Sequence, residues 1–275
     1  MTKVLIDGDI VAYRAAAIIE ADFWEAHKHE LGSLYKFKET QPEHFESMFL
    51  ERYDYQLERT LDKVDGIIDR ILTDLQDVDP ALTFLGPDEC EVFLTGRDNF
   101  RYDIAKTHAY KGHRGVNKKP VLLSKARQYM IDKWGAEVSD GEEADDLIAI
   151  AATKYGPEAI VVSIDKDMLQ IPCKHYNFVK NEWTEVSEFE GLKFFYSQIL
   201  TGDSADNIVG IYLVGPKKAE KLLENCEDED DLWEAVVKAY DGDIDRVVEN
   251  ARLLWLRREE DELWQPPDHR KQKGD

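Results

Sequence analysis

The chain has 275 residues, 43% hydrophobic and 33% charged, with a formal net charge of −22. That length holds one large α/β domain, or one with a small appendage, and the composition is that of a soluble globular protein. It contains no apolar run long enough to span a membrane, and Cys90, Cys173 and Cys226 are too scattered for a disulfide framework or a zinc pattern.

Cysteine usage fits a reducing cytoplasm, and Asp7 and Asp9 interrupt any apolar secretion signal. Acidity by itself speaks against nucleic acid, whose phosphates are met by Lys and Arg. Its distribution speaks otherwise. From Arg97 to Arg127 there are nine Lys or Arg against two Asp, a basic band in an acidic protein.

Val4-Leu5-Ile6 stops at Asp7-Gly8-Asp9, the pattern of a buried strand ending in a polar turn. Residues 21–41 mix aromatics with charge and support no assignment. From Glu43 to Asp77, the residues Leu57, Leu61, Val64, Ile68, Ile71 and Leu75 recur at steps of three and four. They predict one long amphipathic helix, with Pro42 before it and Asp79-Pro80 after it. Glu91 to Leu94 predicts a second strand. Asn99 to Pro120 has no clean period and reads as a loop or short helices over a site. Helices follow over 121–134 and 143–155. Ala159 to Ile164 is a third strand, ending at Asp165-Lys166-Asp167, and Tyr176 to Val179 a candidate fourth. This alternation predicts an α/β fold with a central, mainly parallel sheet flanked by helices. Residues 193–225 read as two helices joined by a Gly-containing hairpin.

The acids at strand ends carry the chemistry. In parallel sheets, sites form at the carboxyl ends of the strands. Asp7 follows the first strand; Asp165 and Asp167 follow the third, spaced to converge on one side. Glu143, Asp145 and Asp146 open a helix, and Asp203 and Asp206 fit one helical face or turn. Any one of these acids is more often a helix cap. Together they form a group that repels itself unless cations neutralise it, and oxygen-only ligands favour Mg²⁺ or Mn²⁺.

Six segments, in this order, resemble the flap endonuclease family, which includes phage 5′–3′ exonucleases and the 5′ nuclease domain of bacterial DNA polymerase I. They are Leu5-Ile6-Asp7-Gly8-Asp9, Tyr110-Lys111-Gly112-His113-Arg114, Glu143-Ala144-Asp145-Asp146, the run Ser163 to Gln170, Gly202 to Ile208, and Val214-Gly215-Pro216-Lys217-Lys218-Ala219. The short chain is most similar to the phage branch. The resemblance implies two divalent cations. Asp7, Glu143 and Asp145 would hold the first; Asp145, Asp165, Asp167 and Asp203 the second; Asp146 and Asp206 would act through water. Ions roughly 4 Å apart stabilise both the attacking and the leaving oxygen of an in-line displacement. Lys111 and Arg114 match the basic residues placed over the scissile phosphate, or else serve as ordinary phosphate steering.

The resemblance further implies a nuclease core over 1–192 with a basic loop at 97–127, and a helix–three-turn–helix DNA-binding region over 193–225. Helices packing on the core over 226–267 and a disordered tail over 268–275 complete the expected organisation. On DNA it implies Arg101, Lys106, Lys118 and Lys119 of the band, and Gly210, Gly215, Lys217 and Lys218 of the hairpin region, with a K⁺ ion at the hairpin. The expected partner is DNA with 5′ ends, nicks, gaps or flaps, or an RNA–DNA hybrid. The expected protein is a monomer in the cytoplasm, the host's if the chain is a phage protein. A PIN-type ribonuclease and a non-catalytic nucleic-acid-binding protein are the rival readings.

Departures from the family pattern are visible. Gly96 stands where an acid is usual, so either Asp98 takes that role or the first ion has one ligand fewer. The hairpin reads Val209-Gly210-Ile211-Tyr212-Leu213, and the segment between Arg114 and Val121 is short for a threading arch. Phe100 and Tyr110 either stack on an unpaired base or anchor the basic loop by packing.

Overall fold

The apolar run at the start forms β1 (Lys3–Asp7), with Val4, Leu5 and Ile6 fully buried. The computed structural model describes residues 2–78, 82, 90–112 and 119–267. Its residues divide into two compact units, one built from 2–94 and 116–138, the other mainly from 95–115 and 139–275. These units do not follow the boundaries expected at 192 and 225. The tail 268–275 lies outside the described residues.

In the first unit, β1 pairs in parallel with β2 (Cys90–Leu94), Ile6 opposite Val92, and β2 with β3 (Glu137–Val138), giving the order β3-β2-β1. Two residues were too short a signal for β3 to be read from sequence. The helix α1 (Gly8–Glu25) starts where β1 stops. Gly8 makes that junction possible, because a Cβ there would lie 2.7 Å from the Phe93 carbonyl oxygen.

The unassigned stretch is helical, forming the end of α1, then α2 (Lys28–Leu31) and α3 (Leu34–Thr40). The single helix expected over 43–77 is two, α4 (Pro42–Leu50) and α5 (Tyr53–Val78). The break has a packing reason. Phe45 and Phe49 of α4 join Trp24 and Phe37 in a separate aromatic cluster, whereas Val64, Ile68, Ile71 and Leu75 of α5 are buried at the predicted spacing. Glu20, buried, ties this cluster to the next segment by accepting from Lys38 Nζ at 2.5 Å and from the Val121 amide at 2.6 Å. The helix α7 (Leu123–Trp134), ended by Gly135 at φ 61°, leads into β3.

In the second unit, α6 (Arg101–Ile104) is a single turn within the basic band. Next come α8 (Ala144–Tyr155) and β4 (Ala159–Val162), which pairs in parallel with β5 (Lys174–Asn177). The last strand of that set, β6 (Glu182–Glu185), runs antiparallel to β5. The helix α9 (Glu188–Thr201) starts five residues before its expected position, at a capping box formed by Ser187 and Glu190. A two-stranded hairpin follows, β7 (Gly202–Asp203) with β8 (Ile208–Val209), then α10 (Pro216–Leu222), α11 (Glu229–Ala239) and α12 (Ile244–Leu254). The core gathers Phe195, Tyr196, Ile199 and Leu200 of α9 with Val236, Val247, Ala251 and Trp264. The fold class is α/β, with a mainly parallel sheet flanked by helices. Among the described residues, no helix is long and apolar enough to cross a membrane.

Candidate metal centre

Chain geometry at Ala109 to Gly112 decides where Lys111 goes. Gly112 donates its amide to the Ala109 carbonyl at 2.9 Å, and a Cβ on Gly112 would meet Ala109 at 2.7 Å. Lys111 lies in the left-handed region at φ 54°, a conformation that costs a non-glycine residue of order 1 kcal/mol and persists only where its surroundings fix it. The surroundings are on the β7–β8 turn. The Lys111 amide donates to the Asp206 carbonyl at 2.9 Å, and Asn207 Nδ2 to the Ala109 carbonyl at 2.9 Å.

Held this way, Lys111 Nζ pairs with Glu143 Oε1 and stands 3.8 Å from Asp206 Oδ2. The Tyr110 hydroxyl lies 2.8 Å from Glu143 Oε2 and 2.8 Å from Asp206 Oδ2. Burial and then the charge of Glu143 push its pKa far above the ordinary phenol value, so it stays a donor. Sequence reasoning brought Lys111, Glu143 and Asp206 into one site and left Tyr110 between stacking and packing. The structure packs Tyr110 into the core beside Phe195 and Ile199, as the packing alternative expects, and gives its hydroxyl a further role, bridging two carboxylates.

Glu143 is the N-cap of α8, and Asp145 sits half-buried in the first turn. Asp146, expected in the water shell of an ion, is fully buried and bound elsewhere. Its Oδ2 accepts from Arg101 Nη1 at 2.6 Å and its Oδ1 from Arg101 Nη2 at 2.8 Å. Burial raises the Asp146 pKa, but the Arg101 charge and hydrogen bonds outweigh it and hold the carboxyl below its usual value. The same pair removes Arg101 from the DNA contacts, since its guanidinium is 2% exposed. Arg101 lies in the basic band and Asp146 45 residues away outside it, so neither gave a sign of pairing internally.

A second set of acids follows β4. Asp165 caps the turn Lys166–Gln170 by accepting from the Asp167 amide at 2.9 Å. Asp167 accepts from Gln198 Nε2 at 2.8 Å. Burial, and then the charges of Asp165 and Asp203, push the Asp167 carboxyl up to about 7. Asp203, on β7, accepts from the Ala205 amide at 2.7 Å. Gln198 escaped the sequence reading; its signal was a polar residue between the buried Phe195-Tyr196 and Ile199-Leu200. Among the described residues no three His, Cys, Asp or Glu side chains form a closed ligand set. The donor chemistry nonetheless fits a hard cation, because Asp165, Asp167 and Asp203 offer oxygen ligands only, and the charges of Asp165 and Asp203 add to burial in raising Asp167.

Asp7 belongs to the first unit, buried at the carboxyl end of β1, where Oδ1 accepts from the Ile10 amide at 3.2 Å. Gly96 cannot carry the acid usual there: a Cβ would lie 2.0 Å from the Ser139 carbonyl oxygen. Asp98 is exposed. Lys106, Lys119, Lys217 and Lys218 are exposed, while Arg114 and Lys118 lie outside the described residues. Gly210 is packed against backbone, its Cβ position 2.3 Å from the Thr201 carbonyl carbon, whereas Gly215 faces open space. Between them Tyr212 is 86% and Leu213 75% exposed. Phe100 does not stand alone in the loop: the Arg257 and Arg101 guanidinium groups lie 3.7 and 4.6 Å from its ring.

No family model matches the chain. It is similar to solved structures of phage T5 nucleases over most of its length. With a T5 protein co-crystallised with metal ions the TM-score is 0.56 at 14% identity, covering 92% of this chain and 89% of that one. With a T5 flap endonuclease in a pseudo-enzyme–product complex with DNA and metal ions the TM-score is 0.54 at 13% identity, covering 92% and 89%. The fold is shared with the T5 5′ nucleases.

Curated relatives match parts of the chain by sequence. The chain is 33% identical over 165 residues to flap endonuclease Xni of Vibrio campbellii, covering 52% of this chain and 62% of that protein. It is 40% identical over 108 residues to DNA polymerase I of Rhizobium leguminosarum, covering 35% of this chain and 11% of that one. The chain thus spans less than two thirds of the length of these relatives. Another relative, of Mycoplasmopsis pulmonis, carries the name 5′-3′ exonuclease, at 29% identity over 152 residues.

Proposed function

We propose that this protein is a divalent-metal-dependent, structure-specific 5′ nuclease that hydrolyses DNA phosphodiesters at or near 5′ ends. The observation that carries the reading is Asp167, a half-buried carboxylate whose burial, and then the charges of Asp165 and Asp203 beside it, push its pKa up to about 7. Such crowding is relieved by a multivalent cation. Asp165, Asp167 and Asp203, together with Glu143 and Asp145, are the residues proposed to hold Mg²⁺ or Mn²⁺. When bound, such ions lower the pKa of a coordinated water and offset charge on the reacting phosphate.

The chain's own groups do the rest. Lys111 supplies a cationic donor, and its left-handed backbone aims it at the carboxylates. Tyr110 keeps Glu143 and Asp206 at a fixed separation. Lys217, Lys218 and the open backbone at Gly215 are proposed to meet duplex phosphates, with K⁺ at the same hairpin. Nicked, gapped or flapped DNA and RNA–DNA hybrids are the proposed substrates, met by a monomer in a cytoplasm, in phage replication or primer removal.

Cleavage of 5′-labelled nicked, flapped, blunt and hybrid duplexes with Mg²⁺ or Mn²⁺ tests this for the wild type and Asp165→Asn. Products from the 5′ side that vanish in the variant are expected. Tight duplex binding without cleavage in either metal would overturn the reading and favour a non-catalytic binding protein.

A further inference from the structure

A buried network of hydrogen bonds sets the position of the N-terminal turn of α8, which carries Glu143 and Asp145. Asp146 Oδ2 accepts from the Glu143 amide at 3.2 Å. Arg101 grips both oxygens of Asp146. Arg101 is itself fixed by carbonyls at the end of α12, Nε to Leu253 at 2.9 Å and Nη2 to Trp255 at 2.7 Å. Arg257 adds a parallel tie from the same segment. Its amide donates to Asp146 Oδ1 at 3.2 Å and its Nη1 to Glu142 Oε2 at 2.9 Å.

We propose that Arg101 is a positioning residue for the carboxylates at the start of α8, and that residues 253–257 set their geometry through it. The inference rests on the reading of those carboxylates as cation ligands. Stability alone does not ask for this arrangement, because an apolar pair of similar volume often replaces a buried ion pair without loss. Orientation does ask for it. A guanidinium presents a planar fork of donors at fixed angles, and Arg101 spends that fork on α8 and two carbonyls 152 and 154 residues away. Lysine offers a point charge and no fork. Outer-shell partners of this kind hold metal ligands in register.

The test compares wild type, Arg101→Lys, Asp146→Asn and the double variant Arg101→Met/Asp146→Leu. Mn²⁺ affinity is read without DNA from the electron paramagnetic resonance signal of free Mn²⁺, beside the melting temperature. Arg101→Lys and Asp146→Asn are expected to weaken Mn²⁺ binding about 10–100-fold. The double variant removes both charges of the Arg101–Asp146 pair and is expected to regain most of the melting temperature while Mn²⁺ binding stays weak. Recovery of both together would reduce Arg101 to a structural residue and overturn the proposal. So would wild-type Mn²⁺ affinity in Arg101→Lys, which decides alone should the double variant fail to fold. A wild type that binds no Mn²⁺ would overturn the cation-site reading itself.

Discussion

The second unit holds two groups of carboxylates, kept in opposite ways. Glu143, Asp146 and Asp206 are met by the chain's own donors: Lys111 and Tyr110 on Glu143 and Asp206, Arg101 on Asp146. Asp165, Asp167 and Asp203 receive amide hydrogen bonds, and the dominant effects on Asp167 are burial and its two acidic neighbours. The difference shows in opposite pKa displacements, Asp146 down and Asp167 up. A carboxylate with an internal counter-ion is a structural part that a metal must compete for. One pressed against other carboxylates has an unmet demand for positive charge.

The largest effect expected from this contrast is on cleavage. Asp165→Asn or Asp167→Asn removes a proposed cation ligand and should lower the cleavage rate by at least about a hundredfold, since a catalytic cation is worth several kcal/mol of transition-state stabilisation. Single-turnover kinetics at saturating Mg²⁺ check this, and a rate near wild type would place the ion elsewhere.

Lys111→Ala should separate affinity from rate. Loss of a positioned cationic donor is expected to slow cleavage roughly 10²–10³-fold. Mn²⁺ binding should tighten, because Glu143 and Asp206 lose their internal counter-ion. Weaker Mn²⁺ binding in this variant would show that Lys111 supports the site rather than competing for it.

Stability against pH distinguishes the groups next. Asp167 titrates near 7 in the fold, where burial and then Asp165 and Asp203 raise it, against about 4 when unfolded. The folded chain therefore keeps a proton that the unfolded chain releases, so stability falls as the pH rises from about 4 to about 7 and stays low above that. For Asp146 the sign is reversed: its contribution is present above the unfolded value and is lost as the pH falls through the lower folded one. In chelator, Asp167→Asn should melt higher than wild type at pH 8 and lose the decline between pH 4 and 7. A melting curve unchanged across that window would refute the crowding. The smallest effect lies outside both groups. Asp7→Ala removes the α1 cap bond to Ile10 and should cost about 1 kcal/mol in chemical denaturation.

Much of this was written along the chain. The buried strand before Asp7, the α5 stripe at Val64, Ile68, Ile71 and Leu75, and the acids of the Asp165 turn and the start of α8 follow from local apolar period and turn chemistry. The order of the acid-bearing segments led to a nuclease fold that the T5 structures share. What sequence could not decide was which charges face each other. Asp146 and Arg101 read as an ion ligand and a DNA contact, and the fold spends them on one another. Gln198 and Tyr110 read as helix and loop residues, and the fold turns them onto Asp167, Glu143 and Asp206. Periodicity is a property of neighbouring residues and survives in the one-dimensional record. The pairing of polar groups dozens to hundreds of positions apart is fixed only when packing brings them together, because a buried charge without a partner is too costly to keep.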